Sequence, residues 1–78
     1  MPINIKMSTI TTKKEFIGDL IQSRRKLSKI RQEDLAEIAG ISARTLRDIE
    51  KGTANPELET LLKICEVLGL RIKVEIIK

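Results

Sequence analysis

The sequence predicts an all-α domain of four short helices, followed by a β-strand at the carboxyl end. Apolar residues recur at spacings of three and four between residues 16 and 68, which is the period of helices with one buried face. Residues 71–76 instead alternate strictly between polar and apolar, which is the period of a strand. With 78 residues, one phenylalanine and no Trp or Tyr, the chain can form one small domain with a modest aliphatic core.

Residues 32–51 are the stretch around which the other elements are arranged. They predict two short helices, the first with Leu35, Ala36 and Ala39 on its inner face, the second with Leu46 and Ile49. A small residue is needed at Ala36, where the two helices cross most closely.

The turn between these helices carries its own signals. Gly40 stands where a chain leaving a helix needs a positive φ, which glycine adopts without steric cost. Ile41 is an apolar residue that is expected to pack behind the turn, and Ser42 is a suitable N-cap for the next helix. Together these features describe a helix-turn-helix, which is most often a device for reading DNA.

The flanking helices have recognisable ends. Residues 12–15 fit a capping box, so the first helix begins near Thr12 and is expected to end near Ser28 or Lys29. Its apolar stripe consists of Phe16, Ile17, Leu20, Ile21 and Leu27. The second helix spans Gln32 to Ala39 behind a poor cap, Arg31, and the third runs from Ala43 to Glu50 or Lys51.

The fourth helix is predicted to begin with Asn55 as its cap and Pro56 at its first position, and to end at Gly69. Its expected buried face consists of Leu58, Leu61, Leu62, Cys65 and Leu68, with Ile64 and Val67 beside it.

The strand at the carboxyl end needs a partner for its backbone groups. Its apolar face consists of Ile72, Val74 and Ile76. Either the amino-terminal segment pairs with it or a second copy of the chain does, and we favour a two-fold homodimer because it would enlarge a small core. The predicted organisation is a tail at residues 1–11, the helix-turn-helix domain at 12–69 and a dimerisation strand at 70–78.

The charges favour an anionic partner. The net charge is +4, with a sequence pI near 9.5. Eight of the fifteen Lys and Arg residues occur up to Arg31, against two acids, whereas seven bases face nine acids in the rest of the chain. Positive charge therefore concentrates at the end of the first helix and the residues after it.

The composition of the chain disfavours several classes of function. The chain has no histidine and a single cysteine, Cys65, which we expect to be a small core residue. We therefore expect no enzymatic activity, no metal and no cofactor. The absence of a long apolar run or a signal-peptide pattern favours an intracellular, cytoplasmic protein.

The chain resembles the XRE group of helix-turn-helix regulators, the lambda-Cro and phage-repressor type, over residues 17–70. The residues that carry the resemblance are Arg25, 30–36, 39–42, Leu46, 49–52, 55–56 and 58–61. It departs from the family at Arg31, at Lys29 where glycine is usual, and at Ala43 where a polar reader is frequent. These departures concern the base contacts rather than the fold.

A helix of this type fits the major groove of DNA, and arginine can bond guanine bidentately. The expected base-reading residues are Ala43, Arg44, Arg47 and Asp48. The expected phosphate contacts are Arg31, Gln32, Ser42, Thr45, Lys51, Thr53 and Asn55. The resemblance also implies a structural ion pair between Arg25 and Glu50.

The resulting hypothesis is a homodimeric repressor of double-stranded DNA that binds an inverted repeat. The strand after the fourth helix resembles the architecture of HipB-type antitoxins, which bind a kinase-like toxin and repress their own operon. The alternatives are a stand-alone phage-type or restriction-controller regulator, and a protein-interaction adaptor without specific DNA binding.

Overall fold

Four α-helices follow one another in the computed structural model, which describes residues 13–73 and residue 76. The helices are α1 (Lys13–Leu27), α2 (Gln32–Ala39), α3 (Ala43–Lys51) and α4 (Leu58–Leu68). The predicted four-helix fold and the helix-turn-helix at its centre are confirmed. The tail at residues 1–11, Thr12 of the capping box and Val74 of the strand lie outside the described residues.

The core lies where the four helices meet. α3 packs against α1 and α2, and α4 covers the other side of the same two helices. The buried apolar side chains are Ile21, Leu35, Ala36, Ala39, Leu46, Ile49, Ile64, Cys65 and Leu68. The inner face predicted for the helix-turn-helix is therefore the centre of the domain, and Ala36 is buried where a small residue was expected.

The helices end in backbone turns that depend on a positive φ. After α2, Gly40 has φ 75°, and the N–H groups of Gly40 and Ile41 bond the carbonyls of Glu37 and Ala36. After α1 the same pair of bonds forms, but the residue with positive φ is Lys29, at 59°. A side chain in this conformation is strained by about 1–2 kcal/mol, which explains why the family usually has glycine there.

Replacing Lys29 by glycine is expected to raise the free energy of unfolding by about 0.5–1 kcal/mol. The substitution relieves the left-handed strain, and the greater freedom of glycine in the unfolded chain cancels part of the gain. Urea denaturation followed by circular dichroism measures the change. Lys26→Gly, in the last turn of α1, serves as the control and should destabilise; a loss of stability in Lys29→Gly would contradict the explanation.

The predicted start of α4 is wrong. The helix begins at Leu58 with Glu57 as its N-cap, two positions beyond the expected pair of Asn55 and Pro56. Pro56 instead lies in the preceding loop, where it lines a cavity of about 200 Å³ with Ile17 and Ile49. Ala54 of the same loop packs against the core, a tertiary contact that the local preference of the Asn-Pro pair does not include.

Two predicted apolar faces are also partly wrong. Leu58 and Leu62 are 63% and 48% exposed, because the side of α4 that meets the core runs through Ile64 and Leu68. On α1, Leu27 is 72% exposed, and the inward position of the last turn belongs to Arg25. The exposed leucines leave apolar surface outside the core.

Residues 70–73 and Ile76 belong to no helix or strand in the single chain. Ile72 is half-buried and Ile76 is exposed. The predicted strand at Ile72, Val74 and Ile76 would pair with a second copy of the chain. A single chain does not test this pairing, so the dimer strand stays a prediction.

Candidate nucleic-acid interface

The turn between α2 and α3 is held by the side chain of Ser42. Its hydroxyl accepts a hydrogen bond from the Thr45 backbone N–H at 3.0 Å and donates one to the Thr45 hydroxyl at 2.9 Å. The predicted N-cap at Ser42 is thereby confirmed. Since Ser42 and Thr45 are both exposed, their hydroxyls remain at the surface from which α3 starts.

α3 has one buried face and one open face. Leu46, Ile49 and Glu50 are buried, while Arg44 and Arg47 are exposed. No hydrogen bond or ion pair joins either arginine to another of the described residues. The other two expected base readers, Ala43 and Asp48, are half-buried, and Ala43 packs against the core.

A buried ion pair holds the carboxyl-terminal end of α3. The Arg25 guanidinium donates from Nε to Glu50 Oε2 at 2.7 Å and from Nη2 to Oε1 at 3.1 Å. The two side chains are 11% and 1% exposed, so the pair is buried, and Arg25 also donates to the Ile30 carbonyl. The hydrogen bond and charge of Glu50 raise the pKa of Arg25, which keeps the guanidinium protonated. Arg25 is therefore occupied inside the domain.

The start of α2 joins the same network. Gln32 Nε2 donates to Glu50 Oε1 at 3.0 Å, so one carboxylate holds both α1 and α2 against the end of α3. Gln32 remains half-buried, and the other hydrogen of its amide has no partner among the described residues. The sequence predicts the phosphate contact of Gln32 but not its bond to Glu50, for which it holds no local signal.

Arg31, the other expected phosphate contact at this helix start, already has a partner. Its Nε lies 3.1 Å from Asp34 Oδ2, one turn further along α2, and both side chains are open to solvent. Exposed ion pairs of this kind contribute little energy. A phosphate can therefore compete with Asp34 for the guanidinium.

Three further expected phosphate contacts follow the open face of α3. Lys51, Thr53 and Asn55 are all exposed, at the end of the helix and in the loop after it. The Thr53 hydroxyl donates to the Asp48 carbonyl at 3.2 Å, which fixes the start of that loop. The structure thus places the expected residues on the turn, on α3 and on the loop that follows.

The basic cluster at the end of α1 is less available than its charge indicates. Arg24 donates from Nε and Nη2 to the Leu68 carbonyl, at 3.2 and 2.9 Å, and so caps the end of α4. With Arg25 bound to Glu50, the basic residues at the end of α1 that remain exposed are Lys26 and Lys29. The sequence does not show this use of Arg24, because its partner is a backbone group 44 residues away.

Other chemistry finds little support in the described residues. They contain no group of three or more carboxylate or thiol side chains placed to hold a metal ion. Burial raises the pKa of the Cys65 thiol, which disfavours the reactive thiolate. In the same part of the chain, no helix combines the length and the apolar character needed to cross a membrane.

The Helix-turn-helix family model matches residues 21–74, which include α2, the turn and α3. The chain therefore belongs to the XRE-type helix-turn-helix family, whose members are regulators rather than enzymes. It is 41% identical over 59 residues to an uncharacterized HTH-type transcriptional regulator of Haemophilus influenzae. It is 39% identical over 56 residues to the immunity repressor protein of Bacillus phage phi105.

The chain spans about three fifths and two fifths of the length of these two relatives. The matched regions are 76% and 72% of this chain, but 59% of the Haemophilus regulator and 39% of the phage repressor. Among solved structures, the clp gene regulator ClgR of Corynebacterium glutamicum has a TM-score of 0.72 at 26% identity, with 80% of each chain covered. The shared part is the helical domain described above.

Proposed function

We propose that the chain is a sequence-specific DNA-binding transcriptional repressor whose α3 enters the major groove. The observation that carries the proposal is the open face of α3, where Arg44 and Arg47 are exposed and unpaired among the described residues. Each arginine can bond the O6 and N7 atoms of a guanine, which is worth about 1–3 kcal/mol of discrimination. The buried Arg25–Glu50 pair keeps the helix rigid beneath them.

The remaining contacts position the protein without reading sequence. Ser42, Thr45, Lys51, Thr53 and Asn55 surround the start and end of α3 and are suited to phosphate oxygens. Gln32 and Arg31 extend the same set to the start of α2, where backbone N–H groups also favour an anion. Asp48 accepts from a cytosine amino group if it reaches the bases, and Ala43 offers a methyl contact to thymine.

Reversing the charge of both arginines, by Arg44→Glu and Arg47→Glu, is expected to weaken binding to a specific duplex at least a hundredfold. The duplex is first selected from random DNA with the unaltered chain, and affinity is measured by fluorescence anisotropy at one fixed salt concentration. Both side chains are exposed, so the melting temperature should change by no more than a few degrees.

Lys63→Glu is the control for the effect of one charge reversal away from α3, at an exposed position of α4. Its effect on affinity should stay within a few-fold at moderate salt. Retention of operator binding by the double variant would show that the readers are wrongly assigned.

The proposed assembly is a homodimer on an inverted repeat. Two copies related by a two-fold axis place their recognition helices about 34 Å apart, one turn of DNA. The alternating pattern at residues 71–76 supports pairing of the carboxyl-terminal strands. A dimer that blocks a promoter, its own included, acts as a repressor.

The proposed biological setting is a toxin–antitoxin pair, with the chain as an antitoxin that also binds a kinase-like toxin. Its support is the strand that follows α4 in the sequence pattern. The phage phi105 relative instead favours a stand-alone regulator. Co-expression of the chain with the product of the adjoining gene tests the antitoxin role, and the expected result is a stable complex with a kinase-like protein. A neighbouring gene unrelated to kinases would favour the stand-alone regulator.

A further inference from the structure

The link between α1 and α2, residues 28–31, is held against the end of α3. The Ile30 backbone N–H bonds the Arg25 carbonyl at 3.1 Å, and the Ile30 carbonyl accepts a hydrogen bond from Arg25 Nη1 at 3.2 Å. The same guanidinium binds Glu50, to which Gln32 also donates. Arg25 therefore holds Ile30 on both sides, and the backbone of the link keeps a fixed position relative to α3.

Lys29 lies on this link in a strained backbone conformation. Its φ is 59°, and among the described residues it is the only one other than glycine with a positive φ. Glycine forms such a turn without strain, and asparagine adopts it more readily than most side chains do. Neither of these residues carries a charge, so the feature that lysine adds at this position is its ammonium group. Strain of this kind occurs frequently at functional sites.

The ammonium group of Lys29 is available to a ligand. The residue is exposed, and no hydrogen bond or ion pair joins its side chain to another of the described residues. Three nearby arginines already have partners within the fold, namely Arg24, Arg25 and Arg31. In the described part of the chain, Lys29 is thus the unpartnered cation nearest in sequence to the start of α2.

Lys29 also lies close to an expected phosphate contact at the start of α2. It precedes Gln32 by three residues, so the two Cα atoms are at most about 11 Å apart. The Gln32 side chain is itself fixed by its bond to Glu50, in the last turn of α3. The flexible four-carbon stem of lysine can carry its ammonium group to a phosphate beside the one that Gln32 would meet.

We propose that Lys29 is a further phosphate contact of the DNA interface, and that it extends the set formed by Arg31 and Gln32 onto the link before α2. This inference rests on the proposed function and adds a residue to the same surface. The ammonium group replaces a counterion on the DNA backbone, which supplies affinity but no sequence information. Lysine at this turn thus strengthens DNA binding while it weakens the fold.

Lys29→Gly separates binding from stability, because it removes the charge and relieves the strain at once. For each copy of the chain on the DNA, a plot of log affinity against log salt concentration should become less steep by about 0.9. The same relation gives an affinity about five- to tenfold lower per copy at about 0.1 M salt. The melting temperature should be no lower than that of the unaltered chain, so the weaker binding cannot result from unfolding.

Fluorescence anisotropy measures the affinity on the selected duplex and on a random duplex of equal length, from about 0.05 to 0.2 M salt. Because a phosphate contact does not read sequence, both duplexes should lose affinity by the same factor, within about twofold. A loss confined to the selected duplex would show that Lys29 reads bases, and would overturn the proposal.

Two variants control for other causes. Lys29→Arg keeps a positive charge at the same backbone position and should bind within about threefold of the unaltered chain. Lys63→Gln removes one charge from an exposed position of α4, outside the proposed interface, and should weaken binding less than about twofold, because salt screens distant charges. A Lys29→Gly variant that binds no more weakly than Lys63→Gln would overturn the proposal.

The random duplex distinguishes a failure of this inference from a failure of the proposed function. If the unaltered chain prefers no sequence but Lys29→Gly still weakens its binding to random DNA, the sequence-specific repressor is refuted and the phosphate contact stands. If the unaltered chain binds its selected duplex specifically and Lys29→Gly has no effect, the contact alone is refuted. An unaltered chain that binds neither duplex refutes both.

Discussion

Replacing Glu50 by alanine is expected to lower the free energy of unfolding by about 3–5 kcal/mol, the usual cost of leaving one buried charge without its partner. The Glu50 side chain is 1% exposed and accepts two hydrogen bonds from Arg25 and one from Gln32. Without it, the Arg25 guanidinium keeps, among the residues that the structure describes, its bond to the Ile30 carbonyl alone. The loss is large relative to the stability of a small domain.

The measurement is urea denaturation followed by circular dichroism, at one fixed protein concentration because association would add to the apparent stability. Glu37→Ala is the matched control, since Glu37 is exposed on α2 and its removal should change the free energy of unfolding by less than about 0.5 kcal/mol. If Glu50→Ala unfolds without denaturant, the same comparison is made in trimethylamine oxide, which favours the folded state.

A double substitution distinguishes a buried pair from two independent contributions. Arg25→Met with Glu50→Leu removes both charges and keeps apolar volume between α1 and α3. Replacing a buried ion pair by apolar residues is often neutral or stabilising. The double variant should therefore be more stable than Glu50→Ala alone. If the double variant is less stable, the two buried charges do not compensate each other, and each contributes to stability independently.

The parts of the fold that local chemistry determines follow from the sequence. The helix-turn-helix is predictable because its signals act within a few residues. Gly40 takes the positive φ that ends α2, and Ser42 bonds the N–H group three residues ahead. The exposed face of α3 follows from helical period alone, since Leu46 and Ile49 must face inward.

Predictions that depend on packing between distant parts of the chain are less accurate. The Asn-Pro pair predicts a helix start at residue 55, but α4 begins two residues later than a cap at Asn55 requires, and Pro56 lines a cavity with Ile17 and Ile49. Leu58 and Leu62 fit a helical stripe, yet the rotation of α4 is set by the helices it meets. Periodicity identifies the apolar side chains but not which of them reach the core.

The availability of charged side chains at the candidate site also depends on packing between distant parts of the chain. Counting charges assigns the whole basic cluster at the end of α1 to an anionic partner. In the fold, Arg24 caps α4, and Arg25 pairs with Glu50 as the family resemblance implies, so both are removed from the surface charge available to DNA. Only the meeting of chain segments that are 25 or 44 residues apart determines this difference.

Gly18 has a structural role that the sequence does not indicate. A glycine inside a helix costs about 1 kcal/mol relative to alanine. A Cβ atom at this position would lie 2.5 Å from the Ile49 carbonyl oxygen and 2.6 Å from that of Glu50. Both contacts are with backbone, which cannot rotate away as a side chain can. The glycine therefore sets how closely α1 approaches the end of α3.

Replacing Gly18 by alanine is accordingly expected to lower the free energy of unfolding by about 2 kcal/mol. Forcing α1 and α3 apart costs about 3 kcal/mol, at the upper end for overpacking, and the better helix propensity of alanine returns about 1 kcal/mol. Ser23→Ala, at an exposed position of the same helix, has the propensity gain alone and should be neutral or slightly stabilising. A Gly18→Ala variant more stable than the original chain would mean that the helices separate freely. Since the same two carbonyls end the recognition helix, the variant should also bind the selected duplex more weakly than Ser23→Ala.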